Sequence, residues 1–164
     1  MDRRRFLGGA AALGGAAVVA VGVQPSRLTH APRGPLYVLD ETAFGILAAV
    51  AARTTGDDAA DPVAIAHAAD EALRFVSVEA QEELGMVLRL LESALAAVVL
   101  RGGARPYSAL TPAEQDAALG AWLDSRLELV RGAGQALRKL TLGSYYAQLE
   151  VARQTGHPGP LFDK

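Results

Sequence analysis

The side chains able to do chemistry are few, and their spacing decides what they can do. The three histidines stand at His30, His67 and His157, and His67 has an acidic residue, Glu71, one helical turn away. Two ligands of this kind rarely hold a metal ion, which wants three or four. His67, Asp70 and Glu71 therefore read as a solvated helix face. A di-iron carboxylate bundle needs inward-facing Glu-x-x-His pairs on two helices, and the sequence contains none. With no cysteine, a thiolate nucleophile, an iron–sulfur cluster and covalently attached haem all lack their ligands. No serine sits in a Gly-x-Ser-x-Gly elbow; Ser125 follows Asp124 on what reads as a helix, at the rim of a packed stripe. The carboxylate pairs Asp57-Asp58 and Glu82-Glu83 have no apolar pocket to raise a pKa and are expected in solvent. The glycine pairs do not follow a strand, so no phosphate cradle is expected. The residues nominate no catalytic group, metal ligand or cofactor contact in this chain.

The adjacent Tyr145 and Tyr146 are of another kind. Neighbours on a helix point about 100° apart, so Tyr145 can join Leu137, Leu140 and Leu149 in a core while Tyr146 faces elsewhere. A tyrosine outside the core, with an apolar ring and a polar tip, suits a partner's surface.

The elements that position these residues are helical. The chain is rich in Ala and Leu and poor in aromatic residues, which favours helices over strands. Asp40 can cap a helix reaching about Arg53, and Thr54-Thr55-Gly56-Asp57-Asp58 stops it. Asp61 caps the next, with Pro62 at its first position, through about Phe75. Over 78–100, Leu84, Leu88, Leu91, Leu95 and Val98 form one apolar stripe and Met86, Leu90, Ala94 and Ala97 a second. Two stripes predict a central, largely buried helix. Thr111-Pro112-Ala113-Glu114 is a capping box, launching a helix whose inner stripe is Leu119, Trp122, Leu123, Leu127 and Val130. Gly132 and Gly134 either break it or let another backbone approach, and helical spacing continues to about Gln154. The expected fold is an all-α, up-and-down bundle of about five helices with no sheet.

Ahead of the bundle, Arg3-Arg4-Arg5-Phe6-Leu7 precedes an uncharged, Gly- and Ala-rich run over 8–23 and a polar break at Gln24-Pro25-Ser26. A charged start, a modest apolar stretch and a polar break are the parts of a bacterial export signal. Arg3, Arg4, Phe6 and Leu7 match the twin-arginine pattern, with Asp2 where Ser or Thr is usual. The run falls short of the roughly 20 residues that span a bilayer, so transient insertion is expected rather than permanent anchoring. The chain divides into a signal segment over 1–23, a linker over 24–35 with three prolines, and one helical domain over 36–164. Export by the twin-arginine translocon places it in the periplasm or at the envelope. The signal's three arginines belong to a chain of formal net charge −2, so the remaining domain is more acidic still, which argues against a nucleic-acid partner.

The C-terminal half carries a resemblance. Leu110-Thr111-Pro112-Ala113-Glu114-Gln115, Trp122-Leu123-Asp124-Ser125-Arg126, Leu137-Arg138-Lys139-Leu140-Thr141-Leu142-Gly143-Ser144-Tyr145-Tyr146 and Gly156-His157-Pro158-Gly159-Pro160 resemble the subunit 3 family of gluconate 2-dehydrogenase. They also resemble the helical N-terminal region of long-chain alcohol oxidases. The match covers about 110–161, and its most specific piece is the Tyr-Tyr pair ten residues before the Gly-x-Pro-Gly-Pro tail. His157 stands where the family usually has Tyr, and the Trp often found before the terminal glycine is absent around Ala152. The resemblance implies a non-catalytic small subunit of a large flavin-dependent dehydrogenase of the glucose-methanol-choline type. FAD and the catalytic base then belong to the large chain, a cytochrome c subunit can accept the electrons, and the small chain's signal exports both. The partner contacts it implies are Trp122, Tyr145, Tyr146, His157, Pro158, Gly159 and Pro160. The alternative expectation is a free-standing exported helical binding or scaffold protein. A subunit is expected to leave a sizeable apolar patch uncovered near Tyr146 and the terminal loop, and a free-standing protein is not.

Overall fold

The computed structural model of the chain describes residues 30–93, 97 and 105–148. Among these residues the protein is an all-α bundle: α1 (Glu41–Thr54), α2 (Pro62–Leu73), α3 (Val78–Glu92), a single 3₁₀ turn (Tyr107–Ala109), α4 (Pro112–Leu123) and α5 (Glu128–Tyr146). No strand occurs among them.

The helix starts follow local chemistry. The Asp40 carboxylate accepts the Ala43 N–H at 2.7 Å, and this bond, with help from Arg89, holds its carboxyl below the usual carboxylate range. Asp61 accepts the N–H groups of Val63 and Ala64, with Pro62 in the first turn. At α4 the Thr111 hydroxyl accepts the Glu114 N–H while the Glu114 carboxylate accepts the Thr111 N–H at 2.8 Å. Each cap satisfies donors that the first turn of a helix otherwise leaves open, and a cap of this kind contributes about 1 kcal/mol.

The central helix is α1, not the third helix. Nine successive residues of α1, Ala43 through Ala51, are buried. A helix hydrophobic all round belongs in the middle of a fold, and α2 and α5 both pack against it. The expectation for 78–100 is corrected on two counts. First, α3 ends at Glu92: the Ser93 hydroxyl and N–H both donate to the Leu90 carbonyl, and Ser93 turns to ψ 138°. Ala97 is helical again and buried, while 94–96 and 98–104 lie outside the described residues. Second, α3 is peripheral. Leu88 and Leu91 are buried against the core, but Met86 and Leu90 of the second stripe stand in solvent, while its Ala97 is buried.

The break between the last two helices falls at residues 124–127, and Gly132 and Gly134 lie inside α5. Ser125 therefore sits in a turn rather than on a helix. Its hydroxyl accepts the Leu127 N–H at 3.2 Å, and its carbonyl accepts from Arg131 at 2.7 Å. Gly134 serves the other expected purpose, since a Cβ there would lie 3.3 Å from the Trp122 Cβ. Its missing side chain lets α5 cross close to α4. Leu127, expected on the inner stripe, is exposed because the turn carries it off the helix, whereas Leu119, Trp122 and Val130 are buried. α5 is helical through Tyr146, and its expected continuation from 149 to Gln154 lies outside the described residues.

Candidate functional site

Residues 30–40 form an arm laid along α2, bent at 33–34 and 37–38, and its attachment overturns the solvated-face expectation for His67 and Asp70, while Glu71 is exposed as expected. The Asp70 side chain is buried, at 1 % exposure. Its carboxylate accepts three successive backbone N–H groups, from Tyr37 at 2.7 Å, Val38 at 3.0 Å and Leu39 at 2.8 Å. A segment outside helix and sheet leaves its donors open, and here the backbone bends at Tyr37 and Val38 so that one buried carboxylate satisfies all three. His67 packs its ring on Phe44, centroids 4.7 Å apart, and its Nε2 accepts the Arg33 N–H at 3.1 Å. That nitrogen is occupied, so a cation shared by His67 and Glu71 is not what the arrangement offers. The Arg33 guanidinium pairs with Asp61. At Asp61 burial pushes the carboxyl up, and Arg33 with the Ala64 and Val63 N–H groups outweighs it and leaves it below the usual range. The Arg74 guanidinium stacks on Tyr37, 4.4 Å from the ring centroid. The packed body thus already includes Arg33, a few residues ahead of the boundary at 36. Among the described residues no group of three or more His, Cys, Asp or Glu converges as a metal site would.

The aromatic residues divide. Trp122 is 1 % exposed and Tyr145 is buried, so both are core residues and not the partner contacts that the resemblance implies. The Tyr145 hydroxyl donates to Asp57 at 2.7 Å, and the same carboxylate accepts the Ala59 N–H at 2.9 Å. Asp57 and Asp58 are exposed, as expected, and Asp57 is at the same time bonded to α5. The tyrosine hydroxyl lowers the Asp57 pKa, and the carboxylate in turn raises that of Tyr145. Tyr146 is 52 % exposed and lies edge-on to Tyr145, centroids 5.1 Å apart. Of the implied contacts it is the one the described residues leave accessible. His157, Pro158, Gly159 and Pro160, like Arg3, Arg4, Phe6 and Leu7, lie outside the described residues.

A cleft of about 300 Å³ opens where α1 meets the 3₁₀ turn and α4, lined by His30, Ala49, Arg53, Ser108, Leu110 and Gln115 among others. Its polar groups are largely committed within the chain. Arg53 makes a two-pronged pair with Asp116 at 2.8 and 2.7 Å, Gln115 donates to the Tyr107 carbonyl at 3.2 Å, and Ser108 donates to Glu92 through both its N–H and its hydroxyl. Burial lowers the His30 pKa, against the pull of Asp61, so this lining group favours its neutral form. A ligand entering the cleft finds apolar walls and no free charge among these groups.

The feature that sequence reasoning missed is an apolar corner. Phe75 is 84 % exposed, and Val76 and Val78 beside it are also exposed. The corner is held in shape, because the Gln81 amide donates to the Leu73 carbonyl at 2.9 Å and to the Val76 carbonyl at 3.3 Å. From there the outer face of α3 carries Met86, 58 % exposed, and Leu90. At about 100° per residue, Val78, Met86 and Leu90 lie within about 120° of helix surface. Carboxylates share this face: Glu79 and Glu82 fall within the same arc and Glu83 just beyond it, and with Glu71 they make no ion pair among the described residues. No helix among the described residues is long and apolar enough to cross a membrane. No known protein family, curated protein or solved structure matches the chain.

Proposed function

We propose that this chain is the non-catalytic small subunit of an exported FAD-dependent alcohol or sugar dehydrogenase of the glucose-methanol-choline type, supporting the folding and twin-arginine export of its large subunit. The observation that carries the reading is the uncovered apolar surface of Phe75, Val76, Val78, Met86 and Leu90. Several large apolar side chains exposed on one side of a fold mark an interaction site. It lies on α3 and its preceding corner rather than only near Tyr146, so the large subunit would grip the bundle by its peripheral helix. FAD and the reacting groups sit in that subunit, and a cytochrome c subunit takes the electrons.

The test is genetic and biochemical together. Affinity purification of the chain from the envelope should bring down a yellow flavoprotein, and Arg3→Lys with Arg4→Lys should strand both chains in the cytoplasm. A flavoprotein that remains exported and active after deletion of this chain overturns the reading. So does a purified chain that never binds one.

A further inference from the structure

We propose that residues 30–35 form an acid-released strap: a proton on Nε2 of His67 removes the acceptor that holds the Arg33 N–H, and the strap lifts from α2 and from the cleft beside α1 while Asp70 keeps residues 37–39 in place. The inference does not depend on a dehydrogenase partner. From His30 to Leu36 the backbone makes one hydrogen bond among the described residues, the 3.1 Å bond from the Arg33 N–H to His67 Nε2. Pro32 and Pro35 have no N–H to offer, and nothing lies within 4 Å of a Cβ placed on Gly34. The other hold is the ion pair of Arg33 with Asp61, whose side chains are 66 % and 39 % exposed, and a surface pair of this kind contributes at most about 1 kcal/mol. Beyond the strap the attachment is firmer. Leu36 packs on the core, and the N–H groups of Tyr37, Val38 and Leu39 share the buried Asp70 carboxylate.

An imidazole nitrogen that accepts a hydrogen bond carries no hydrogen, so the neutral ring bears its proton on Nδ1. A second proton goes to Nε2 and sets two N–H groups against each other. Imidazole is the side chain that changes charge between about pH 8 and pH 5, so the strap is held above that range and freed as pH falls through it. The charges around the ring do not oppose this. On α2, Asp70 is spent on the arm, and the exposed Glu71, one turn away, favours a charged ring. From α1 the ring meets Phe44, which carries no charge. On the strap the Arg33 guanidinium is turned to Asp61. α5 meets α2 through Tyr145 beside Ile65, about 160° round the helix from His67. His30 acts in the same direction. Burial lowers its pKa against the pull of Asp61, so its share of the attachment is complete above the ordinary histidine range and lost as pH falls toward the lowered value. Arg53, in the same cleft wall, is paired with Asp116. Lifting the strap takes His30 out of that wall and opens the cleft toward Gly45, Ala49 and Arg53.

Amide hydrogen exchange of the full-length chain, followed by NMR and expressed as protection over the unfolded sequence, tests this. In the wild type the Arg33 amide should lose about tenfold or more in protection between pH 7.5 and pH 5.5, while the Leu39 amide keeps its own. His67→Gln, whose side-chain oxygen accepts at either pH, should keep Arg33 protected throughout. His67→Phe, which retains a ring on Phe44 and has no acceptor, should leave it unprotected throughout. Both replace a half-buried side chain, circular dichroism melts check that each variant folds, and the wild-type profile decides even where a variant does not. Equal protection of Arg33 at both pH values in the wild type overturns the proposal. So does a loss that Leu39 shares, which makes the event an unfolding of the whole arm. A loss that persists in His67→Gln places the switch on another group and equally overturns it.

Discussion

α5 and α3 are both amphipathic helices, and the chain treats them in opposite ways. α5 packs against α1, α2 and α4. Its inner face of Val130, Gly134, Leu137, Thr141, Ser144 and Tyr145 is buried, and two long-range side-chain bonds fasten it. The Thr54 hydroxyl donates to the Thr141 hydroxyl at 2.8 Å, and Tyr145 donates to Asp57. What α5 shows to solvent includes the charged Glu128, Arg138 and Lys139, with Leu129 and Tyr146 as separate apolar exposures at its two ends. α3 buries Leu88 and Leu91 and shows Met86 and Leu90 to solvent beside its carboxylates. An apolar stripe states that a helix must be covered; it does not state by what. α5 is covered by its own chain, and the outer stripe of α3 is left for something else.

The comparison can be broken at several points. Leu137→Ala, on the covered face of α5, should cost about 3 kcal/mol of unfolding free energy in urea melts, as fully buried leucines do when a cavity is left. The two helical glycines should then respond with opposite signs. A Cβ on Gly134 would stand 3.3 Å from the Cβ of the buried Trp122, so Gly134→Ala should lose about 1 kcal/mol as overpacking outweighs the gain in helix propensity. Around Gly85 of α3 nothing lies within 4 Å of the corresponding position, and Gly85→Ala should gain up to about 1 kcal/mol. If both glycines respond alike, the distinction between a tight and an open helix face fails.

Tyr145→Phe sharpens the comparison through pH. The Asp57 carboxyl is held down by the tyrosine hydroxyl, so its stabilisation is present above the ordinary carboxylate range and lost as pH falls through the lowered value. The Tyr145 phenol is held up by Asp57, so its share is complete below the ordinary phenol pKa of about 10 and lost as pH rises through the raised value. The stability difference between wild type and Tyr145→Phe should be flat from about pH 5 to pH 9 and shrink at both ends. A difference that does not change with pH removes this link between α5 and the α1–α2 loop. The smallest effect belongs to α3: Met86→Ser should change stability by no more than about 0.5 kcal/mol in thermal melts.

Much of this architecture was readable because it is local. Asp40, Asp61-Pro62 and Thr111-Glu114 announce helix starts within a few residues, and all three perform as caps. The misreadings share one cause, a dependence on distant partners. Asp70 falls between His67 and Glu71 on what counts as a polar face, and nothing within a turn of it reveals that an arm more than thirty positions earlier brings three N–H groups to it. The two stripes of the third helix look alike in sequence, and only the placement of α1 distinguishes Leu88 from Met86. The break at 124–127 lacks glycine and proline, so the stronger local signal at Gly132 and Gly134 drew the boundary to the wrong place. In the sequence Phe75 reads as the end of a helix, and its exposure depends on how α2 turns into α3.

Asp70 has a mechanical consequence. Tension applied at the amino terminus first meets Arg33 and its contacts with His67 and Asp61, and then three hydrogen bonds that converge on a single carboxylate. Because the arm runs along α2, a pull toward the start of that helix shears the three bonds together instead of unzipping them one by one. The load passes into α2 before it reaches α1, so a chain hauled by its leading end keeps its central helix unstrained until Asp70 lets go.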